Sequence, residues 1–203
     1  MILYGAPKPA PNPRRVRMFL AEKGIDLPET PLDLRKREHK APEFRAKNSL
    51  GQVPALELDD GEVIAETVAI CRYFEEMQPE PSLFGRTALE KAQVEMWVRR
   101  IEFQLMTPVG MFWRHAHPLT AQLIAQHKDF GESNRERVAN AMRWLDRELE
   151  GKTFIAGEAF TMADICALST IDFAHWIGLE IPDDCANLRA WHERVSARPS
   201  AAA

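Results

Sequence analysis

The chain has 203 residues, of which 45% are hydrophobic and 28% are charged, a balance typical of globular proteins and unlike that of disordered or fibrous ones. This length allows one or two domains, because domains usually have roughly 100 to 200 residues. The formal net charge of -4 provides no general basic field, so we expect no nucleic acid as a partner.

The cysteines and the start of the chain indicate the cellular setting. Cys71, Cys166 and Cys185 are widely spaced and form no C-x-x-C pair, which disfavours a disulfide framework or a zinc site. We interpret them as buried, small apolar side chains. The chain opens without a signal sequence, and no apolar run approaches the roughly 20 residues of a membrane helix. We therefore expect a cytoplasmic protein with no membrane partner.

Residues 1–78 alternate between strand and helix patterns. The alternation predicts strands at residues 2–4, 32–34, 53–58 and 62–65, and the last two flank the turn sequence Asp59-Asp60-Gly61, which indicates a hairpin. A first helix is predicted from Asn12, as N-cap before Pro13, to Gly24. The basic stretch 35–47 is interpreted as a solvated loop with a short helix. A helix after the hairpin completes a compact α/β domain; its apolar positions are Ile70, Cys71, Phe74 and Met77.

The second part of the chain is predicted to be helical throughout. Prolines and a glycine interrupt every periodic pattern at residues 79–86, which we interpret as a linker to an all-α domain at 87–203. Pro108 is expected to kink the first long helix. Thr161 and Asp164 form a capping box that opens a later helix. The buried stripe of the first long helix is formed by Val94, Val98, Ile101 and Leu105.

Several common chemical signatures are absent. The sequence has no glycine-rich phosphate loop and no Gly-x-Ser-x-Gly elbow. His115 and His117 are two residues apart, which places them on different faces of a helix, so we expect no metal site.

Three short motifs occur in a fixed order along the chain: Asn12-Pro13-Arg14-Arg15-Val16, Gln52-Val53-Pro54-Ala55-Leu56, and Glu66-Thr67 at the start of a helix. Each motif is weak alone, but with the capping box near residue 161 and the helical second half they are jointly specific. The chain resembles the cytosolic glutathione S-transferases over almost its whole length, and bacterial nu-like members in particular. The resemblance implies a thioredoxin-like N-terminal domain that binds glutathione and an all-α C-terminal domain that supplies most of the electrophile pocket.

The resemblance assigns roles to specific residues. It implies a cis Val53–Pro54 bond that leaves the backbone of Val53 free to pair with an extended peptide ligand. The motif alone favours a trans proline that starts an edge strand. Thr67 would bind the γ-glutamyl carboxylate at a helix N-terminus and Glu66 the ammonium group, although an N-cap and a first-turn acid give the same pattern. The remaining glutathione contacts implied by the resemblance are His39, Lys40 and Gln52.

Thiol activation is where this chain departs from the commoner subclasses. Alignment on Arg15-Val16-Arg17 puts Ala10 where other subclasses carry a serine or cysteine, and Tyr4 lies within the predicted first strand, where a core role is expected. Asn12 matches the Pro-Asn loop of nu-like members, so we expect its side chain and the helix-start amides to stabilise the thiolate. Asn12 is therefore the candidate catalytic residue.

The resemblance also implies an electrophile pocket and a homodimer. Met106, Phe112 and Trp113 are the candidate pocket residues, although aromatic residues at helical spacing are also typical of a core. The stripe that includes Val94 and Val98 lies on the helix that the family uses at its dimer interface, so we expect a second copy of the chain to cover it. Two alternatives to a transferase stay open: a glutathione-dependent disulfide or peroxide reductase, and a non-catalytic regulatory scaffold, which the intact Glu66–Thr67 pair disfavours.

Overall fold

The computed structural model describes all 203 residues and divides into two compact units. The first unit is Met1–Leu83 together with Pro199–Ala203, and the second is Phe84–Arg198. Residues 199–203 are predicted to belong to the helical domain, whereas the structure groups them with the first unit. A long-range hydrogen bond ties them to the first unit, since the Arg14 guanidinium donates to the carbonyl oxygen of Ala201 at 2.8 Å.

The first unit is built on a four-stranded mixed sheet of order β2-β1-β3-β4. Strand β1 is parallel to β2 and antiparallel to β3, which is antiparallel to β4. This arrangement confirms the predicted order of elements and the thioredoxin-like fold. The strands are β1 Ile2–Gly5, β2 Glu29–Pro31, β3 Ala55–Glu57 and β4 Val63–Ala65, and the helices are α1 Pro11–Lys23, α2 Pro42–Lys47 and α3 Thr67–Met77.

The second strand begins and ends earlier than predicted. Residues 32–34 lie outside β2, whose last residue is Pro31. The Asp33 carboxylate accepts hydrogen bonds from the backbone N–H groups of Arg35 at 2.8 Å and Lys36 at 3.1 Å. This side-chain turn competes with strand pairing, so the alternation of two leucines around Asp33 does not continue the sheet.

The hairpin and the helix after it agree with the sequence analysis. The Leu58 N–H donates to the carbonyl of Glu62 at 2.8 Å, and Gly61 takes a φ of +88° that the turn requires. In α3 the apolar positions Ile70, Cys71 and Phe74 are buried, whereas Met77 is 56% exposed. All three cysteines of the chain are free and buried, as predicted.

The second unit is entirely helical, as predicted. No helix of the chain is both long enough and apolar enough to cross a membrane. Helix α7 opens with the predicted capping box, in which the fully buried Asp164 accepts from the Thr161 N–H at 2.9 Å. The helices are α4 Ala88–Arg100, α5 Thr107–His115, α6 Lys128–Glu148, α7 Met162–Trp176 and α8 Ala186–Ser196.

The bend predicted at Pro108 takes the form of a π-helical segment, Ile101–Met106, between α4 and α5. Proline lacks an N–H and its ring crowds the carbonyl four residues earlier, so a regular α-helix is disfavoured at this point. The Thr107 N–H donates to the carbonyl of Glu102, and the Thr107 hydroxyl donates to the same oxygen at 2.9 Å. The wider turn keeps the helix continuous through the proline.

The prediction that a second copy covers the buried stripe of the first long helix is wrong, because this stripe belongs to the core of the second unit. Val94, Val98, Ile101 and Leu105 are at most 2% exposed within a single chain. On the other face of the same helix, three apolar side chains spaced by seven residues are exposed: Leu89 at 68%, Met96 at 39% and Phe103 at 63%. We call these three residues the exposed stripe.

Candidate functional site

The sheet register gathers the predicted glutathione residues at one end of the sheet. Tyr4 at the end of β1 pairs with Ala55 at the start of β3, and Ala55 pairs with Ala65 at the end of β4. Strand β2 runs parallel to β1, so its last residue lies at the same end. The segments that leave β1, β2 and β4, and the segment that enters β3, therefore meet there, and they carry Asn12, His39, Lys40, Gln52, Val53, Pro54, Glu66 and Thr67.

The start of α3 has free backbone N–H donors. Glu66 precedes the helix with a φ of +71°, a conformation that residues other than glycine rarely adopt. Thr67 is only 7% exposed and begins the helix. The amides of Thr67, Val68 and Ala69 have no partner in the chain, and the first amide that bonds within the helix is that of Ile70, to the carbonyl of Glu66. Three free amides and the positive end of the helix dipole favour a bound carboxylate.

The segment before β3 presents free backbone groups, and its Val53–Pro54 bond is cis, as the resemblance implied. Neither the N–H nor the carbonyl of Val53 bonds to another backbone group. The exposed side chain of Gln52 lies beside it, and the Gln52 carbonyl accepts from the buried Asn48 amide at 2.8 Å. Asn48 thus fixes the segment in place, a role that sequence reasoning missed.

Lys40 and Gly51 join the end of the basic stretch to the same segment. The Lys40 ammonium donates to the carbonyls of Leu50 at 3.0 Å and Gly51 at 2.7 Å. Gly51 has a φ of +55°, and a Cβ there would approach the His39 carbonyl oxygen to 2.6 Å, so only glycine permits this approach. The side chain of Lys40 therefore stabilises the loop conformation through these hydrogen bonds and also adds a positive charge to the loop.

His39 is half-buried, and its Nδ1 atom is buried without a hydrogen-bond partner. Burial, and then the charges of Lys40 and Arg37, lower the pKa of His39 below the usual histidine value. A ring nitrogen without a partner can still form a hydrogen bond with a ligand.

The start of α1 differs from the prediction. The N-cap is Ala10 and the helix begins at Pro11, so Asn12 lies in the first turn and caps nothing. Two prolines, Pro11 and Pro13, remove two of the amides that a helix start normally offers. The Asn12 N–H has no partner in the chain, and its exposed side chain makes no hydrogen bond. Asn12 therefore offers two donors at this helix start, its main-chain amide and its side-chain amide.

The Tyr4 hydroxyl forms a hydrogen bond with a neighbouring carboxylate. Tyr4 is half-buried, and its hydroxyl donates to the Glu57 carboxylate at 2.6 Å. This hydrogen bond is the main reason why the pKa of Tyr4 is raised above the usual tyrosine value. The one hydroxyl proton of Tyr4 is thus donated to Glu57.

The three candidate electrophile residues belong to the second unit. Met106 and Trp113 are half-buried, whereas Phe112 is 3% exposed and lies under the Arg135 guanidinium at 4.7 Å from its ring centre. Trp113 belongs to an aromatic cluster, with ring centres of Phe173 and Trp176 at 5.4 and 5.5 Å. Of the three, Met106 and Trp113 retain surface for a ligand.

Comparisons with known proteins agree with this architecture. The family model for the glutathione S-transferase N-terminal domain matches residues 10–77, and the model for the C-terminal domain matches residues 105–199. Glutathione S-transferase 2 of Saccharomyces cerevisiae is 40% identical over 98% of this chain and 87% of its own length.

Solved structures give the same result. The crystal structure of Gtt2 from Saccharomyces cerevisiae has a TM-score of 0.92, with 98% of each chain covered. A class Gtt2 glutathione S-transferase of Vibrio parahaemolyticus is 35% identical, with a TM-score of 0.86 and coverage of 98% of this chain and 94% of its own. The expected similarity to bacterial nu-like members of the family stays a prediction. The fold, the family models and these relatives together show that the chain belongs to the glutathione S-transferase family and is a glutathione transferase.

Proposed function

We propose that the chain binds glutathione at the shared end of the sheet and activates it as a thiolate for attack on a hydrophobic electrophile. The observation that carries this proposal is the start of α3, where three free amides lie beside Glu66 in its uncommon backbone conformation and the mostly buried Thr67. A regulatory scaffold has no need for such a clamp.

Each part of glutathione has a partner in this proposal. Thr67 and the α3 amides bind the γ-glutamyl carboxylate, and Glu66 binds the ammonium group. The free backbone groups of Val53 pair with the extended peptide, and Gln52 lies beside them. His39 and Lys40 face the glycine carboxylate, since a neutral imidazole can donate one hydrogen bond and an ammonium group adds charge.

The thiolate forms next to Asn12. Two amides of one residue, with the positive end of the α1 dipole behind them, favour an anion but cannot supply or remove a proton as an acid or base would. The reaction therefore depends on lowering the pKa of the glutathione thiol, because the thiolate is the nucleophile. The thiol proton passes to solvent as the thiolate forms, and the sulfur then bonds to the electrophilic carbon. An aryl halide loses its halide in this step, whereas an activated alkene takes up a proton from solvent at the neighbouring carbon.

The second unit provides the apolar surface for the electrophile, with Met106 and Trp113 as the lining residues. We further propose a cytoplasmic homodimer in which the exposed stripe of Leu89, Met96 and Phe103 is covered by a second copy. A stripe of this kind on a long helix is unfavourable in water unless it is covered.

A substrate panel tests the proposal. The protein should be retained on immobilised glutathione and should conjugate glutathione to aryl halides or activated alkenes. A mixed disulfide and an organic hydroperoxide are assayed alongside as substrates of the alternative reductase reaction. Faster turnover of those two would favour the reductase, which uses the same thiolate. Retention on glutathione without turnover of any substrate class would favour the scaffold.

A further inference from the structure

A cluster of metal-ligating side chains lies in the second unit, between α7 and α8. Asp172 and His175 are three residues apart on α7, so they share one face of that helix, and His192 comes from α8. One ligand atom from each of the three residues lies within 4.8 Å of the others. Sequence spacing shows only the two residues on α7, because the third ligand comes from another helix.

The contacts within this cluster are short, and they leave one buried histidine nitrogen without a hydrogen bond. The Nε2 atom of His192 lies 2.6 Å from a carboxylate oxygen of Asp172, and the rings of His175 and His192 are 5.3 Å apart. The Nε2 atom of His175 is buried and makes no hydrogen bond. The Glu180 carboxylate lies 3.7 Å from it, which exceeds hydrogen-bond distance. A buried imidazole nitrogen without a partner calls for an explanation, and a bound ion supplies one.

The donor set of two imidazole nitrogens and one carboxylate oxygen suits zinc. Zinc sites with three protein ligands keep the fourth position for water, and zinc–ligand distances of about 2.0 to 2.2 Å place tetrahedral ligands roughly 3.4 Å apart. The three side chains are between 21% and 29% exposed, so they have room to adjust around an ion, with Asp172 and His192 moving slightly apart and His175 moving in, and solvent can deliver the ion.

We propose that Asp172, His175 and His192 bind one zinc ion, with water in the fourth position. The ion joins α7 to α8 and stabilises the second unit, because a ligand that binds only the folded state favours folding by mass action. The glutathione chemistry uses none of these three residues, so this site is independent of the proposed function.

Calorimetric titration of chelator-treated protein with zinc chloride tests this site. We expect one equivalent to bind, with affinity at least about tenfold weaker in His175→Ala and in His192→Ala, because each removes one of three ligands. His115→Ala is the matched control. It removes one ring of the other close histidine pair in this unit, His115 and His127 at 5.6 Å, and should leave the titration unchanged.

Two further measurements separate metal binding from a hydrogen bond between helices. Asp172→Asn retains a hydrogen-bonding partner for His192 but loses the carboxylate, so it should fold with an unchanged circular dichroism spectrum and bind zinc more weakly. Cobalt(II) should give the visible absorption of a tetrahedral site in the wild type and not in His192→Ala. No binding at millimolar zinc, or equal binding by wild type and all three cluster variants, would overturn the proposal.

Discussion

The ammonium nitrogen of Lys23 lies 2.5 Å from a carboxylate oxygen of Glu75, and the two side chains are 0% and 9% exposed. Lys23 ends α1 and Glu75 lies near the end of α3, so the pair joins the two helices of the first unit. Lys23 also donates to the carbonyls of Gln78 at 2.8 Å and Pro81 at 2.6 Å, and Glu75 accepts from the Leu83 N–H at 3.0 Å. One ion pair thus fixes the segment that follows α3.

Breaking this pair should be costly. Lys23→Met leaves the Glu75 carboxylate buried without its cation, and we expect the free energy of unfolding to fall by about 3 to 5 kcal/mol. Urea unfolding followed by circular dichroism measures the change. The matched control is Arg143→Met, whose partner Asp184 is 62% exposed, and it should unfold like the wild type. Equal midpoints for the two variants would contradict a structural role for the buried pair.

Asp164 is predicted to be essential for the second unit. Its carboxylate accepts four hydrogen bonds, including one from the Ile155 N–H at 3.0 Å and one from the Trp191 indole at 2.9 Å. Asp164→Ala leaves several buried donors unsatisfied, so we expect a loss of at least about 3 kcal/mol of unfolding free energy. Thermal unfolding should show this loss, whereas Asp183→Ala, at an exposed carboxylate of the same unit, should unfold normally. A stable Asp164→Ala would show that water replaces these contacts.

The exposed stripe is predicted to form the homodimer interface. Light scattering of the wild type should give a mass near twice 23.1 kDa. Phe103→Asp should give the mass of one chain, because a charge in an apolar interface is left unpaired. Leu123→Asp changes an equally exposed leucine outside the stripe and should leave the mass unchanged. A monomeric wild type at micromolar concentration would refute the dimer, and a dimeric Phe103→Asp would place the interface elsewhere.

The role of Asn12 is predicted to be visible in the pH dependence of the reaction. Asn12→Ala should raise the apparent pKa of the bound thiol by about one to two units and lower turnover at pH 7 by about ten to a hundredfold. The side chain caps no helix, so the variant should be as stable as the wild type. Tyr4→Phe is the control and should leave the profile unchanged, since the Tyr4 hydroxyl is engaged by Glu57. A saturated Asn12→Ala with the wild-type profile would assign activation to other groups.

Local patterns predicted much of the fold. Gly24, the Asp59-Asp60-Gly61 turn and the Thr161–Asp164 box act within a few residues, and the structure has all three where the sequence indicates. Asn12 was misplaced because a cap residue and a first-turn residue differ by one position, and two flanking prolines fit either arrangement.

Features that depend on distant parts of the chain were not predictable. The apolar face with Val94 and Val98 was assigned to an interface, because periodicity shows that a helix face is covered without showing by what. The Lys23–Glu75 pair and the contribution of His192 join positions that lie close only after folding. For the glutathione site, motif order predicted the residues, but the register of β1, β3 and β4 explains why they meet.

One variant separates the contribution of the Glu66 carboxylate to glutathione binding from the strain of the Glu66 backbone. Glu66→Gly should bind glutathione more weakly through loss of the carboxylate, yet it should unfold at a higher temperature, because glycine accepts a φ of +71° without strain. Differential scanning calorimetry with and without glutathione gives both quantities. A destabilised Glu66→Gly with full affinity would reverse both expectations.

Calorimetric titration of glutathione into Thr67→Ala and Thr67→Ser tests the binding site most directly. We expect a dissociation constant at least about tenfold higher for Thr67→Ala, since a lost hydrogen bond to a carboxylate costs about 1.5 to 3 kcal/mol. Thr67→Ser keeps the hydroxyl and should have a nearly wild-type constant. Wild-type affinity in Thr67→Ala, with the protein folded, would contradict the placement of glutathione at α3.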